Sequence, residues 1–102
     1  MPSYLLSPES QDDLREIRDY LASRGGRRLA RYVLQEIAGA FRLLASHPEA
    51  GHFRGDLTPL PVKIWPVFSY LIVYDPAARP LAIVRVLHGR QDVAAILSRE
   101  RE

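Results

Sequence analysis

Tyr70-Leu71-Ile72-Val73-Tyr74, a turn at Asp75-Pro76-Ala77-Ala78-Arg79-Pro80, and a return from Leu81 to Val86 that ends in Leu87-His88-Gly89-Arg90-Gln91-Asp92 make up the stretch whose reading decides the fold. Short apolar runs bounded by Pro and Gly read as inner strands of a sheet. Joined by one turn, the two strands deliver Arg85, His88, Arg90 and Asp92 to one edge of the molecule. Polar groups gathered at a strand end, just past a glycine, are where binding and chemistry collect.

Upstream, Val62, Ile64, Pro66 and Phe68 alternate with Lys63, Trp65 and Val67, which predicts a third strand, kinked at Pro66 and edge-like or bulged. Residues 49–61, rich in Gly, Pro and charge, read as a loop after His47-Pro48 ends a helix. At the other end, Tyr4-Leu5-Leu6 makes a short first strand, and Ser7 as N-cap with Pro8 at the first helical position opens helix one. Leu14, Ile17, Tyr20 and Leu21 mark its buried face; Asp12, Asp13, Arg15, Glu16, Arg18 and Asp19 mark its wet side. Gly25-Gly26 ends that helix, and a second one from about Arg27 to Ser46 completes a helical hairpin. Its stripe of Ala30, Val33, Leu34, Ile37, Ala38, Ala40, Phe41, Leu44 and Ala45 is wider than one packing surface requires, so it touches both helix one and the sheet. Leu29 and Tyr32 fall outside the stripe, either as ordinary exposed apolar residues or as part of a patch that a partner covers.

After Asp92, the spacing of Val93, Ile96 and Leu97 predicts a short C-terminal helix, with residues 99–102 as a frayed tail. A strand, two helices, a meander of three strands and a last short helix spell an α+β domain over residues 1–102. Its sheet is mostly antiparallel, of about four strands, with the helices on one face.

Composition sets the outer limits. With 102 residues, 47% of them hydrophobic, the chain can fill one core. Fourteen Lys plus Arg against twelve Asp plus Glu leave +2, which permits an acidic partner without marking a nucleic-acid binder. No Cys and three scattered His exclude a disulfide framework, a thiolate metal site and a zinc motif, so no metal or cofactor is expected. The apolar segment of Met1 to Leu6 is too short for a signal peptide, and no run approaches the roughly 18 apolar residues of a membrane helix. The expectation is a soluble, cytoplasmic protein without a membrane role.

Metal-independent cleavage of RNA needs a base, an acid and cations that hold the phosphate, and Lys63, His88 and Arg90 supply those residue types. Strand parity puts His88 on the side of Val84 and Val86, however, while Lys63 sits on a strand of unfixed register. A lone His beside a glycine also serves to cap a turn or satisfy a carbonyl. Arg85 shares parity with Ile83 and Leu87, so if buried it needs carbonyls or a carboxylate, for which Asp92 and Asp75 are candidates. A structural ion pair and a role in recognition both stand open for it. Arg24, Arg27, Arg28 and Arg31 crowd the hairpin turn, and their guanidinium forks suit an acidic protein segment, a phosphate or plain solvation. There is no phosphate-cradling glycine loop and no nucleophile elbow.

Ser7-Pro8-Glu9 with Asp13-Leu14, Ile17 and Tyr20, the Gly25-Gly26 turn, Leu44 with Pro48 and Gly51, Tyr70 to Tyr74, and Val86-Leu87-His88-Gly89-Arg90 with Asp92 recur in order and spacing along nearly the whole chain. In this the sequence resembles the ParE branch of the RelE/ParE toxins of type II toxin-antitoxin systems. The resemblance implies a small α+β toxin that a cognate ParD-like antitoxin neutralises by wrapping a helix and an extended tail around it. It also implies that ParE-like members inhibit DNA gyrase, whereas RelE-like members are ribosome-dependent mRNA endonucleases. Ribonuclease members carry Lys and Arg on the middle strands and a Tyr in the last helix, where this chain has Val62, Ile64 and Ile96.

The expectation that follows is a non-enzymatic toxin that grips gyrase through Arg85, His88, Arg90 and Asp92, with no direct sequence-specific binding of nucleic acid. Antitoxin capture falls to Arg24, Arg27, Arg28, Leu29, Arg31 and Tyr32 beside the apolar stripe of helix two. The alternatives are an endoribonuclease using Lys63, His88 and Arg90, and a chain whose toxicity has decayed, suggested by Gln91 where many relatives of this type carry a second Arg.

Overall fold

The computed structural model describes residues 3–100. Strand β1 (Tyr4–Leu6) leads into the helical segment α1 (Pro8–Ser46), a 3-10 turn (Pro48–Ala50) and strand β2 (His52–Phe53). Strands β3 (Lys63–Val67), β4 (Tyr70–Asp75) and β5 (Leu81–His88) follow, and helix α2 (Val93–Arg99) closes the order. The sheet has five strands in the order β1-β5-β4-β3-β2, with β1 parallel to β5 and every other pair antiparallel. The fifth strand is β2, two residues inside what reads as a loop, paired to Lys63 and Ile64.

Local chemistry explains the helical hairpin. Ser7 caps α1: its Oγ accepts from the Ser10 N–H at 3.0 Å and donates to the Val84 carbonyl at 2.7 Å, so the cap also ties the helix start to β5. Gly26 breaks α1 into two arms with φ 85° and ψ 177°, a backbone combination that essentially only glycine adopts. The arms fold back on each other and lay Ile17, Val33, Ile37, Phe41 and Leu44 on Tyr70, Ile72, Tyr74, Leu81, Ile83 and Val86. Full burial of one such aliphatic side chain contributes about 1.5–3 kcal/mol.

Helix α2 covers the opposite face instead. Val93 and Leu97 pack on Val62, Ile64, Val73 and Leu87, so the helices occupy both faces rather than one. The expected wet side of the first arm is also corrected at Asp13, which is buried, while Tyr20, expected on the buried face, is 51% exposed.

Between β4 and β5 the register slips: Val73 faces Arg85 and Tyr74 faces Ile83, which leaves Val84 as a bulge. One extra residue flips the alternation beyond it. Ile83 and Val86 therefore both meet the hairpin while Val84 and Leu87 face α2, so Ile83 and Leu87 lie on opposite faces. Arg85, opposite Val73, shares the side of Leu87 as simple parity expects, but not that of Ile83. Pro66 pairs with Leu71 and leaves its other edge open, because β2 reaches only Ile64. Phe68, expected on this strand, instead leads the two-residue turn between Val67 and Tyr70 with φ 55°. For a side chain other than glycine that left-handed backbone costs roughly 1–2 kcal/mol.

Tyr74 is fully buried and pins the segment after the hairpin. Its hydroxyl donates to the Pro48 carbonyl at 2.7 Å and accepts from the Gly51 N–H at 2.8 Å. A Cβ on Gly51 would come within 2.5 Å of that hydroxyl, so the position requires glycine. Burial raises the Tyr74 phenol above its ordinary pKa.

Candidate functional site

The far end of β5 is built as a tight turn. The His88 N–H donates to Gln91 Oε1 at 2.7 Å, the Gln91 N–H returns to the His88 carbonyl at 3.0 Å, and the Arg90 N–H donates to His88 Nδ1 at 3.0 Å. The Gly89 N–H donates to the Ser69 carbonyl at 2.8 Å and ties this turn to the β3–β4 turn. His88 stands edge-on to Tyr70, ring centroids 5.3 Å apart. With Nδ1 accepting, the neutral imidazole carries its proton on Nε2, and no lone pair is left to take a proton from a substrate. His88 therefore caps the turn through Nδ1.

Arg85 and Asp92, expected to face a target, each hold a partner within the chain, Arg85 half-buried and Asp92 exposed. Arg85 Nε and Nη2 each donate to Asp13 at 2.8 Å, and Nη1 reaches Glu100 at 3.3 Å, with 18% of the arginine side chain exposed. Asp13 Oδ2 also accepts from the Val86 N–H at 2.9 Å, taking the place of the neighbouring strand where β1 has ended. The hydrogen bond that Arg85 donates to Asp13 holds the Arg85 pKa above its already high ordinary value, against the opposing effect of burial. The partner of Arg85 is thus neither Asp92 nor Asp75. Asp92 caps α2 by accepting from the Ala95 N–H at 3.1 Å, and Asp75 accepts from the Ala77 N–H at 2.9 Å. Glu100, expected in a frayed tail, holds Arg85; Arg101 and Glu102 lie outside the described residues.

Lys63 sits far from this edge. It pairs with Tyr74 whereas His88 pairs with Tyr70, four residues away on β4. That is about 13 Å along the strand at about 3.3 Å per residue. Its ammonium donates to the Glu49 carbonyl at 3.1 Å and lies over the Phe53 ring. Lys63, His88 and Arg90 are not brought together. Arg90 itself has no carboxylate partner among the described residues. With Glu16, Tyr20, Tyr70 and Gln91 it lines an open groove of about 330 Å³ between the first arm and the sheet end.

The hairpin cluster divides. Arg27 and Arg31, with Arg18, rim a groove of about 640 Å³ between the two arms, floored by Ala22, Ala30, Leu34 and Ala38. Arg24 turns away and stacks over Tyr20 at 5.1 Å. Arg28 is exposed, as is Leu29, whose side chain lies against Gly25; Tyr32 is 55% exposed and meets Phe68 at 5.9 Å between ring centroids. Among the described residues no His, Cys, Asp and Glu cluster fits a metal ion, and no helix is long and apolar enough to cross a membrane.

Sequence reasoning missed Asp13, although Ser10, Asp13 and Ile17 keep the three-and-four spacing of a buried face. It also missed the exposed, strained Phe68, for which no local pattern gives a signal.

Comparison with known proteins agrees with this architecture. A sequence model of the family described as ParE toxin of type II toxin-antitoxin system, parDE, matches residues 4–93. Toxin ParE1 of Mycobacterium tuberculosis is 33% identical over 90 residues, 88% of this chain and 92% of that protein. Toxin ParE3 of Caulobacter vibrioides is 30% identical over 93 residues, 91% of each chain. In a solved structure titled Chromosomal ParDE TA system from P. aeruginosa, one chain shares the fold with a TM-score of 0.73 at 19% identity, over 86% of this chain and 96% of that one. With the family pattern running from β1 into α2 and both relatives aligned nearly end to end, the chain belongs to the ParE toxins of type II toxin-antitoxin systems.

Proposed function

We propose that this ParE toxin arrests growth by binding DNA gyrase through the sheet edge around His88 and Arg90, in the cytoplasm, and that it performs no chemistry there. The observation that carries this reading is the disposition of the polar residues. His88 spends its basic nitrogen on the turn, Lys63 is bound elsewhere, and Arg90 extends a guanidinium that finds no carboxylate among the described residues. Such an edge suits recognition of carboxylates by a fork of N–H donors. Arg85 and Asp92 act one step back, holding β5 and α2 in place so that the edge keeps its shape.

A ParD-like antitoxin neutralises the toxin by laying an apolar helix with acidic flanks along the groove between the arms. Alanines on its floor allow close approach, and Arg27 and Arg31 on its rim offer charge complementarity. Arg24, Arg28, Leu29 and Tyr32 extend the contact around the hairpin end.

The test is DNA supercoiling by purified gyrase titrated with the toxin. The expected result is loss of supercoiling, relieved by the protein encoded beside the toxin gene; unaffected supercoiling at saturating toxin refutes the reading. Primer extension on cellular mRNA after induction identifies the rival directly, since an endonuclease leaves defined cuts.

A further inference from the structure

Phe68 is the one non-glycine residue with positive φ among the described residues, at 55°, and its ring is 60% exposed. The two-residue turn Phe68-Ser69 takes this backbone at its first position, where glycine fits without strain. The chain thus holds a strained backbone and shows an apolar ring to water, and the ring it touches, Tyr32, is itself mostly exposed. Neither feature serves the core. Strain retained at an exposed aromatic points to use elsewhere.

The turn is continuous with the edge already described. The Ser69 carbonyl accepts from the Gly89 N–H, and Tyr70 packs against His88. Tyr20 and Arg90 share one groove with Tyr70, and Arg24 stacks on Tyr20. An apolar knob therefore stands on a turn hydrogen-bonded to the turn that bears Arg90, whose guanidinium has no carboxylate partner among the described residues.

We propose that Phe68 is the apolar anchor by which the toxin seizes its protein target, its ring entering an apolar pocket whose rim carries a carboxylate for Arg90. The inference rests on the reading of the edge as a target-binding surface and adds the residue that supplies its apolar contact. Aromatic and arginine side chains at the centre of a patch carry most of the binding energy of protein interfaces.

The experiment compares wild type, Phe68→Gly and Phe68→Tyr in gyrase supercoiling, in growth arrest after induction without antitoxin, and in thermal melting. Phe68→Gly is expected to melt no lower than wild type, because the turn relaxes, yet to need at least tenfold more protein to stop supercoiling and to lose growth arrest. Phe68→Tyr, which keeps the ring, stays within threefold of wild type. Equal potency of Phe68→Gly and wild type overturns the inference, as does a loss confined to antitoxin binding or one matched by a fall in melting temperature. If wild type leaves gyrase untouched, the gyrase reading fails alone. The growth comparison still decides about Phe68: retained arrest by Phe68→Gly overturns the inference, and lost arrest supports it.

Discussion

Arg85 and Arg90 stand five positions apart on the same strand and its turn, yet the molecule uses them in opposite ways. Arg85 is locked between Asp13 and Glu100, and Asp13 also accepts from the Val86 N–H on the open edge of β5. Arg90 projects from a turn whose polar atoms satisfy one another without its guanidinium. Residue type and position alone do not separate the two; a partner 72 residues away in sequence does. The clasp belongs to stability and the free guanidinium to recognition, so substitutions in the two places should damage different measurements.

The sharpest break comes at Asp13. Asp13→Ala leaves a half-buried guanidinium with one partner and the Val86 N–H with none. Removing one member of a buried ion pair costs about 3–5 kcal/mol. Equilibrium denaturation should register a loss of this size, and a loss under about 1 kcal/mol would show that the clasp is ornamental. At Asp92 the expected effect is smaller, because Asp92→Ala removes only an N-cap. Unfolding free energy should fall by about 0.5–2 kcal/mol.

At Arg90 the comparison inverts. Arg90→Ala should change stability by less than about 0.5 kcal/mol, as exposed substitutions without partners do, while lowering toxicity after induction. A stability loss matching that of Asp13→Ala would erase the distinction between the two regions. The smallest signal is the tautomer of His88. Nitrogen-detected NMR of the neutral imidazole should find the proton on Nε2, and a proton on Nδ1 would contradict the turn geometry.

Much of the fold was legible because its cues are local. Ser7-Pro8 opens a helix, Gly25-Gly26 breaks it, and the apolar runs on either side of Asp75 to Pro80 can only be inner strands. The illegible parts depend on pairings that no local pattern announces. A single bulge at Val84 broke the parity that grouped Arg85 with Ile83. Asp13 read as solvated because carboxylates usually are, although its spacing from Ile17 put it on the buried face. At the candidate site the sequence brought out His88 and Arg90, but the partners that occupy Arg85 and Asp92, and the exposure of Phe68, follow only from tertiary structure.

The central claim is that a free cationic edge grips a target while the buried clasp merely supports it. Titration of purified gyrase with wild type and with Arg90→Ala, both shown folded by circular dichroism, tests this directly. The account predicts that wild type abolishes supercoiling and that Arg90→Ala needs at least tenfold more protein; equal potency of the two would contradict it.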